Sequence, residues 1–257
     1  MRFFRRSNVK KQIQKRRFVF CFTFLLLLFL SGSVYFSLPY LKFFKLKFVE
    51  VQGVQRGFQT ETVLEKSRLQ KGVPLFSIHL KEVASRLKEE IWVDQVRMKR
   101  KLPYTLAIQI IEHEPKLILS ADKLYYISSA GEIFKQLEKE DSKNFPVLTG
   151  VTKQEIEQNS DKMKEVFSEA IELLKKYEKT AFAGQFGVSE IHYDFLSGFN
   201  LFPEKKKLKI IVGFSNFDAK LKRLELAIQQ LGESHRSFSA IDLNYEGKVV
   251  LTSSKGG

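Results

Sequence analysis

A single cysteine, Cys21, stands among the 257 residues, so no intrachain disulfide and no cysteine-rich metal site can form. Proline (6) and glycine (14) are too sparse for a fibrous or low-complexity chain. The four histidines, His79, His113, His192 and His235, show no His-Glu-x-x-His spacing. There is no Gly-x-Ser-x-Gly elbow, no phosphate loop and no Gly-x-Gly-x-x-Gly turn. These absences leave no catalytic, cofactor-binding or metal residues to name, and point away from an enzyme. With 44% hydrophobic residues there is ample material for a core, which excludes a disordered polypeptide.

A net charge of +14 invites a nucleic-acid reading until the charge is located. Residues 1–17 carry eight Lys/Arg and no acid, leaving an ordinary mixed surface of 35 basic and 29 acidic residues beyond them. Residues 18–41 then contain no charge and are mostly Phe, Leu, Val and Tyr. About 20 apolar residues suffice to cross a bilayer core. The expectation is a cytoplasmic basic tail (1–17) and a single transmembrane helix (18–41), with the rest of the chain outside. A cleaved signal peptide is the competing reading, because Ser31, Gly32 and Ser33 follow the apolar run 18–30. Apolar residues resume at Val34, Tyr35 and Phe36, which favours the anchor. Cys21 falls inside it as a small apolar filler.

Beyond residue 47 the pattern changes. Phe48, Val49, Glu50, Val51 and Gln52 alternate as a strand that Gly53 ends. Thr60 to Ser67 reads as a short helix with Val63 and Leu64 apolar, and Gly72, Val73 and Pro74 break it. Val83, Leu87 and Ile91 recur at intervals of four and predict a second helix over about 79–90. Two strands follow, with Val96 and Met98, then Leu106, Ile108 and Ile110, on alternate positions around a turn at Leu102, Pro103 and Tyr104. The order is β-α-α-β-β, one sheet face covered by two helices. Leu75, Phe76 and Ile78 are expected to anchor the inter-helix loop, and Trp92 to be buried between helix and sheet.

A second module begins near Lys116. Tyr125, Tyr126 and Ile127 form a hairpin with Ile133 and Phe134 across residues 128–131. Thr152 and Glu155 make a capping box, which opens one helix with Phe167, Ala170, Ile171, Leu174 and Tyr177 on its apolar face. Strands are expected near 187–194 and 207–213. Asn216 or Asp218 caps a helix bearing Leu221, Leu224, Ala227, Ile228 and Leu231. A last hairpin runs from Ala240 to Leu243, turns near Glu246 and Gly247, and returns through Val249, Val250 and Leu251.

Ordered along the chain, Val49-x-Val51-x-Gly53, Pro74-Leu75-Phe76-x-Ile78, Ile91-Trp92-Val93, Arg100-x-x-Pro103-x-Thr105-Leu106 and Glu112-x-x-Pro115 carry a resemblance. Directly after a membrane anchor, the unit resembles the POTRA (polypeptide-transport-associated) domain of the FtsQ/DivIB family of bacterial cell-division proteins. Pro146-Val147-Leu148-Thr149-Gly150 is similar to the family's Pro-x-Leu-x-Gly step. Asp242-Leu243-Asn244-Tyr245-Glu246-Gly247 is similar to its closing Asp-Leu-Arg-Tyr-x-x-Gly pattern, with Asn244 in place of the arginine.

The resemblance implies an α+β protein: one amino-terminal transmembrane helix, a βααββ POTRA domain (42–115), a mixed β-sheet domain with flanking helices (116–252), and a tail (253–257). It implies a septal inner-membrane scaffold without cofactor, binding partners of the FtsB and FtsL type through the β domain and other divisome components through the POTRA domain. Through them it would help control septal peptidoglycan synthesis. The last strand, about 248–252, has no later strand to cover it, so an extended partner could pair with its backbone. Tyr245, Gly247, Lys248, Val249, Val250 and Leu251 are the expected partner-binding residues, with Tyr245 an aromatic anchor. FtsB is the partner implied there.

Two other classes are weighed against this. An anchored enzyme acting on wall polymer needs converging acid and base residues. A POTRA chaperone in outer-membrane transport normally carries a β-barrel or several POTRA copies. Glu112, His113 and Glu114 at a strand end divide between two faces, a poor arrangement for one metal. His192 and Asp194 share a face and could meet. The runs Lys99-Arg100-Lys101 and Lys205-Lys206-Lys207 are expected in solvated turns, with anionic envelope polymers as the sharper reading.

Overall fold

The computed structural model describes residues 18–20, 22–33, 43–54, 60–231 and 238–253. The basic tail, Cys21, residues 34–41 of the expected span and residues 254–257 lie outside them. Residues 18–20 and 22–33 are helical. Among the described residues no helix is long and apolar enough to cross a membrane. The chain divides into two units, Met1–Ile111 and Glu112–Gly257.

In the first unit, β1 (Phe48–Gln52), α1 (Thr60–Ser67), a 3-10 turn (Leu75–Ser77), α2 (Leu80–Lys88), β2 (Val93–Lys101) and β3 (Thr105–Glu112) follow one another. Their sheet order is β1-β3-β2, with β1 parallel to β3 and Val49 and Val51 opposite Leu106 and Ile108. Val63 of α1 and Val83 and Leu87 of α2 are buried with Leu106, Ile108 and Ile110 of β3. Helical i, i+4 spacing and strand i, i+2 spacing thus meet in one core. Gly53 has φ +87°, and a Cβ there would lie 2.0 Å from the Ile110 carbonyl oxygen, so only glycine fits where β1 leaves the sheet.

Three expected core residues are displaced, and the apolar Leu64 of α1 lies at the surface, because it sits 100° around the helix from Val63. Phe76 is half exposed; in the 3-10 turn the buried pair is Leu75 and Ile78, three apart. Ile91 is exposed, since α2 stops at Lys88 and the four-residue interval no longer maps onto a helix face. Trp92 is half-buried in the turn before β2, and Val93 takes the interior position instead.

The Lys99-Arg100-Lys101 run lies at the end of strand β2, not in a solvated turn. Arg100 donates from Nε to the Leu75 carbonyl (2.9 Å) and from Nη2 to the Ile78 carbonyl (2.7 Å), so it clamps the inter-helix loop.

The second unit runs β4 (Pro115–Ser120), β5 (Leu124–Ser128), β6 (Ile133–Gln136), β7 (Val147–Thr149), α3 (Lys153–Gln158), α4 (Ser160–Tyr177), β8 (Val188–Asp194), β9 (Gly198–Pro203), β10 (Lys209–Gly213), α5 (Phe217–Leu231), β11 (Phe238–Asp242) and β12 (Val250–Ser253). Its nine strands are ordered β12-β11-β10-β9-β8-β7-β4-β5-β6. One apolar row crosses seven of them: Leu119, Leu148, Ile191, Leu201, Ile210, Ile241 and Leu251 face one another strand by strand. Met163, Phe167, Ile171 and Leu174 of α4 and Phe217, Leu221 and Leu224 of α5 are buried in the same cluster as this row.

Two features of this unit depart from the sequence reading. The capping box forms, Thr152 and Glu155 each bonding the other's backbone N–H, but the helix it opens ends at Gln158. Asn159 (φ −135°, ψ 50°) leaves helical geometry and α4 starts afresh at Ser160. Strand β9 was not expected. Gly198, Phe199, Asn200, Leu201 and Pro203 are all buried, so this central strand has no two-residue alternation, and its Gly, Asn and Pro imitate a loop.

Candidate partner-binding edge

Among the described residues β12 pairs only with β11 and so forms an edge of the large sheet. Val250 lies opposite Asp242, Leu251 opposite Ile241 and Thr252 opposite Ala240. Leu251 is half-buried against the core, while Val250 is 41% exposed on the other face. The strand begins two residues later than expected. Tyr245, Gly247, Lys248 and Val249 belong to the loop ahead of it rather than to the ladder. The reason is local: Gly247 sits at φ +65° and the Lys248 N–H returns to the Tyr245 carbonyl at 3.4 Å, a turn that delays pairing. Tyr245 is 54% exposed at that turn. Val249 and Leu251 pack inward, as residues of an ordinary edge would, and yet the outer side of the strand has no neighbour among the described residues.

Helix α5 contributes residues the sequence reading did not single out. Arg223 donates from Nη2 to the Leu243 carbonyl (2.9 Å) and lies 3.5 Å from that of Tyr245, holding the loop between β11 and β12. Lys220 donates to the Val212 and Phe214 carbonyls (both 2.8 Å) and to Asn244 Oδ1 (3.3 Å). Burial lowers the Lys220 pKa, and the neighbouring Arg223 charge lowers it further. Asn244 therefore accepts from α5 where the family pattern has a cation. Its side chain also stands where a Cβ on Gly213 would fall, 1.9 Å from Oδ1. Between α5 and β12 runs a groove of ≈ 360 Å³ lined by Leu226, Ala227, Leu231, Val249 and Leu251, with Arg223 and Gln230 at its polar margin. The three- and four-residue spacing of Arg223, Leu226, Ala227 and Gln230 was a signal that could have marked this face.

The other clusters resolve into structure. His192 meets Thr149, not Asp194: Thr149 Oγ1 lies 2.8 Å from His192 Nδ1 and donates to Glu190 Oε1 at 2.6 Å. While the Thr149 hydroxyl donates to Glu190 it can only accept from His192, so in this arrangement the imidazole is not placed as its base. Asp194 accepts from the Ser197 hydroxyl and from the Ser197 and Leu196 N–H groups, which in that order hold its carboxyl below the usual range. His113 stacks on Phe134 with centroids 4.6 Å apart, and Glu114 pairs with Lys116 at 2.6 Å. Lys206, expected in solvent, lies instead over the Phe186 ring at 4.0 Å. No group of three or more His, Cys, Asp or Glu side chains that could hold a metal is present among the described residues.

A three-stranded βααββ unit followed by a nine-stranded mixed sheet defines a two-unit α+β protein whose first unit has the POTRA arrangement. Residues 44–113 match the family described as POTRA domain, FtsQ-type, and residues 118–244 match that described as cell division protein FtsQ/DivIB, C-terminal. The cell division protein FtsQ of Geotalea daltonii is 29% identical over 209 residues, covering 81% of this chain and 76% of that protein. Those of a Geobacter species and of Syntrophotalea carbinolica are each 28% identical, covering 80% and 86% of this chain and 75% and 77% of their own. The chain belongs to the FtsQ/DivIB family of cell-division proteins.

Proposed function

We propose that the protein is a single-pass membrane scaffold of the divisome that captures an extended partner segment, of the FtsB and FtsL type, along β12, and so helps control septal peptidoglycan synthesis. The observation that carries this is the outer side of β12, unpaired among the described residues, beside the groove between α5 and β12. A strand added there gains backbone hydrogen bonds for affinity, while Val250 and the groove read alternate side chains. Tyr245 stands at the rim as an aromatic anchor. The POTRA unit is left to engage other division components, and no cofactor or catalytic residue takes part.

The anchor is residues 18–41, with residues 1–17 inside the cell and those from Lys47 onward outside. Its support is the charge asymmetry and the apolar helical stretch, in which Phe20 (73%), Leu25 (66%) and Phe29 (76%) are exposed, an unfavourable surface in water but a fitting one in lipid. Protease added outside should remove everything beyond the anchor and spare the tail; a mature chain starting near Val34 would disprove it.

The edge is tested by Val250→Pro, which removes a backbone donor, and by deletion from Lys248 onward. Both should abolish capture of the partner's outer segment in a pull-down while the POTRA unit stays folded by circular dichroism. Undiminished capture by a folded Val250→Pro protein would refute the edge mechanism.

A further inference from the structure

The first unit holds a cleft that its own side chains leave open. It measures ≈ 250 Å³ and lies between the end of α1 and the first turns of α2, with Val73, Ile78 and Val83 among its apolar lining and Arg68, His79 and Arg86 among its polar one. The two arginines that reach this loop region differ in how fully they are used. Arg100 places both Nε and Nη2 on carbonyl oxygens. Arg86 gives only Nη2 to the Ser67 carbonyl (3.0 Å), and its buried Nε has no acceptor among the described residues. A desolvated donor on a cation is costly to leave unmade. Neither Arg68 nor Arg86 is in an ion pair among the described residues, although Glu82, the one carboxylate lining the cleft, is a helical turn from Arg86.

We propose that this cleft binds an acidic side chain of an extended partner peptide. Arg86 and Arg68 take the carboxylate, and Val73, Ile78 and Val83 take an apolar side chain next to it. A carboxylate oxygen can accept from the unpaired Nε of Arg86, beside the engaged Nη2, which a lysine could not reproduce while also holding the Ser67 carbonyl. The apolar floor favours a peptide over an inorganic anion, and Glu82 opposes a doubly charged phosphate more than a single carboxylate. This site rests on the scaffold reading only for the origin of the peptide, and it is separate from β12.

The test uses the full chain in detergent micelles, labelled with ¹⁵N at arginine. The Arg86 Nε–H resonance is assigned by its disappearance in Arg86→Lys. Acetyl-Leu-Glu-Leu-amide should shift it saturably, and acetyl-Leu-Gln-Leu-amide should bind about tenfold or more weaker, the loss of one charged hydrogen bond. Arg68→Gln, which breaks no side-chain hydrogen bond among the described residues, should weaken the Glu peptide by about the same factor. Val250→Pro should leave the response intact, so the failure of one site is distinguishable from that of the other. Absence of a saturable shift, an equal shift from the Gln peptide, or an equal response to inorganic phosphate would overturn the proposal.

Discussion

The two sheets protect themselves in opposite ways. In the three-stranded sheet the edge strand β2 is nine residues long and turns Gln95, Arg97, Lys99 and Lys101 to solvent, with Lys101 paired to Glu50 at 2.5 Å. In the nine-stranded sheet the edge strand β12 is four residues long and carries no charge between Val250 and Ser253. Cations along an edge repel a second strand, and a short uncharged edge does not. The interiors differ too. The large sheet is held by an apolar row across seven strands, whereas the small one depends on a polar clamp from Arg100 to hold the loop between its helices. Stability of the second unit is therefore mostly area, and that of the first is partly geometry.

The largest effect expected from this contrast is at the middle of the apolar row. Leu201→Ala should cost about 2–5 kcal/mol, a fall of roughly 5–15 °C in Tm by calorimetry, because Leu201 is fully buried in the core cluster to which both α4 and α5 contribute. Trp92→Ala in the small unit, half-buried, should cost only about 1–2 kcal/mol despite the larger side chain. If the tryptophan variant proved the more damaging, the contrast in interiors would fail.

Next comes the clamp. Arg100→Met keeps the apolar stem but strands the Leu75 and Ile78 carbonyls, at about 1.5–3 kcal/mol for hydrogen bonds to a charged group. Hydrogen exchange should quicken in the inter-helix loop and leave the second unit unchanged. Uniform protection across both units after the substitution would show the clamp to be dispensable.

The edges themselves can be exchanged. Val250→Lys with Thr252→Lys gives β12 the character of β2 and should weaken partner capture by about tenfold or more, about 1.4 kcal/mol. Conversely, Arg97→Thr with Lys99→Thr should raise self-association in sedimentation, since the long β2 edge loses its repulsion. Capture unaffected by the lysines would mean that affinity comes from the groove and not the strand.

The smallest effect is local. Thr152→Ala removes the hydroxyl half of the capping box at about 1 kcal/mol and leaves the backbone N–H of residue 152 on the Glu155 carboxylate. The Thr152 backbone N–H, then its hydroxyl, hold the Glu155 carboxyl below its ordinary value of 4.5, so the stabilisation is present above that value and is lost as pH falls through the lowered one. The parent should lose stability over that acid range more steeply than Thr152→Ala in urea titrations; parallel slopes would count against the box as the source.

What the sequence by itself determined were the features written in short-range pattern: the charge asymmetry of residues 1–41, β1, both POTRA helices, the β2–β3 alternation, the capping box and the closing hairpin. Spacing of two or of three to four residues needs no partner to be recognised, because the faces it makes are local. Tertiary structure alone decided the rest. Strand β9 is buried on both faces and lost its alternation, and Asn159 divided a helix that the apolar spacing joined. Trp92 yielded its interior place to Val93, and Arg223 reached from α5 to the β11–β12 loop, a partnership twenty residues apart in sequence. In each case the outcome depended on what another element placed opposite, which no window of local sequence contains.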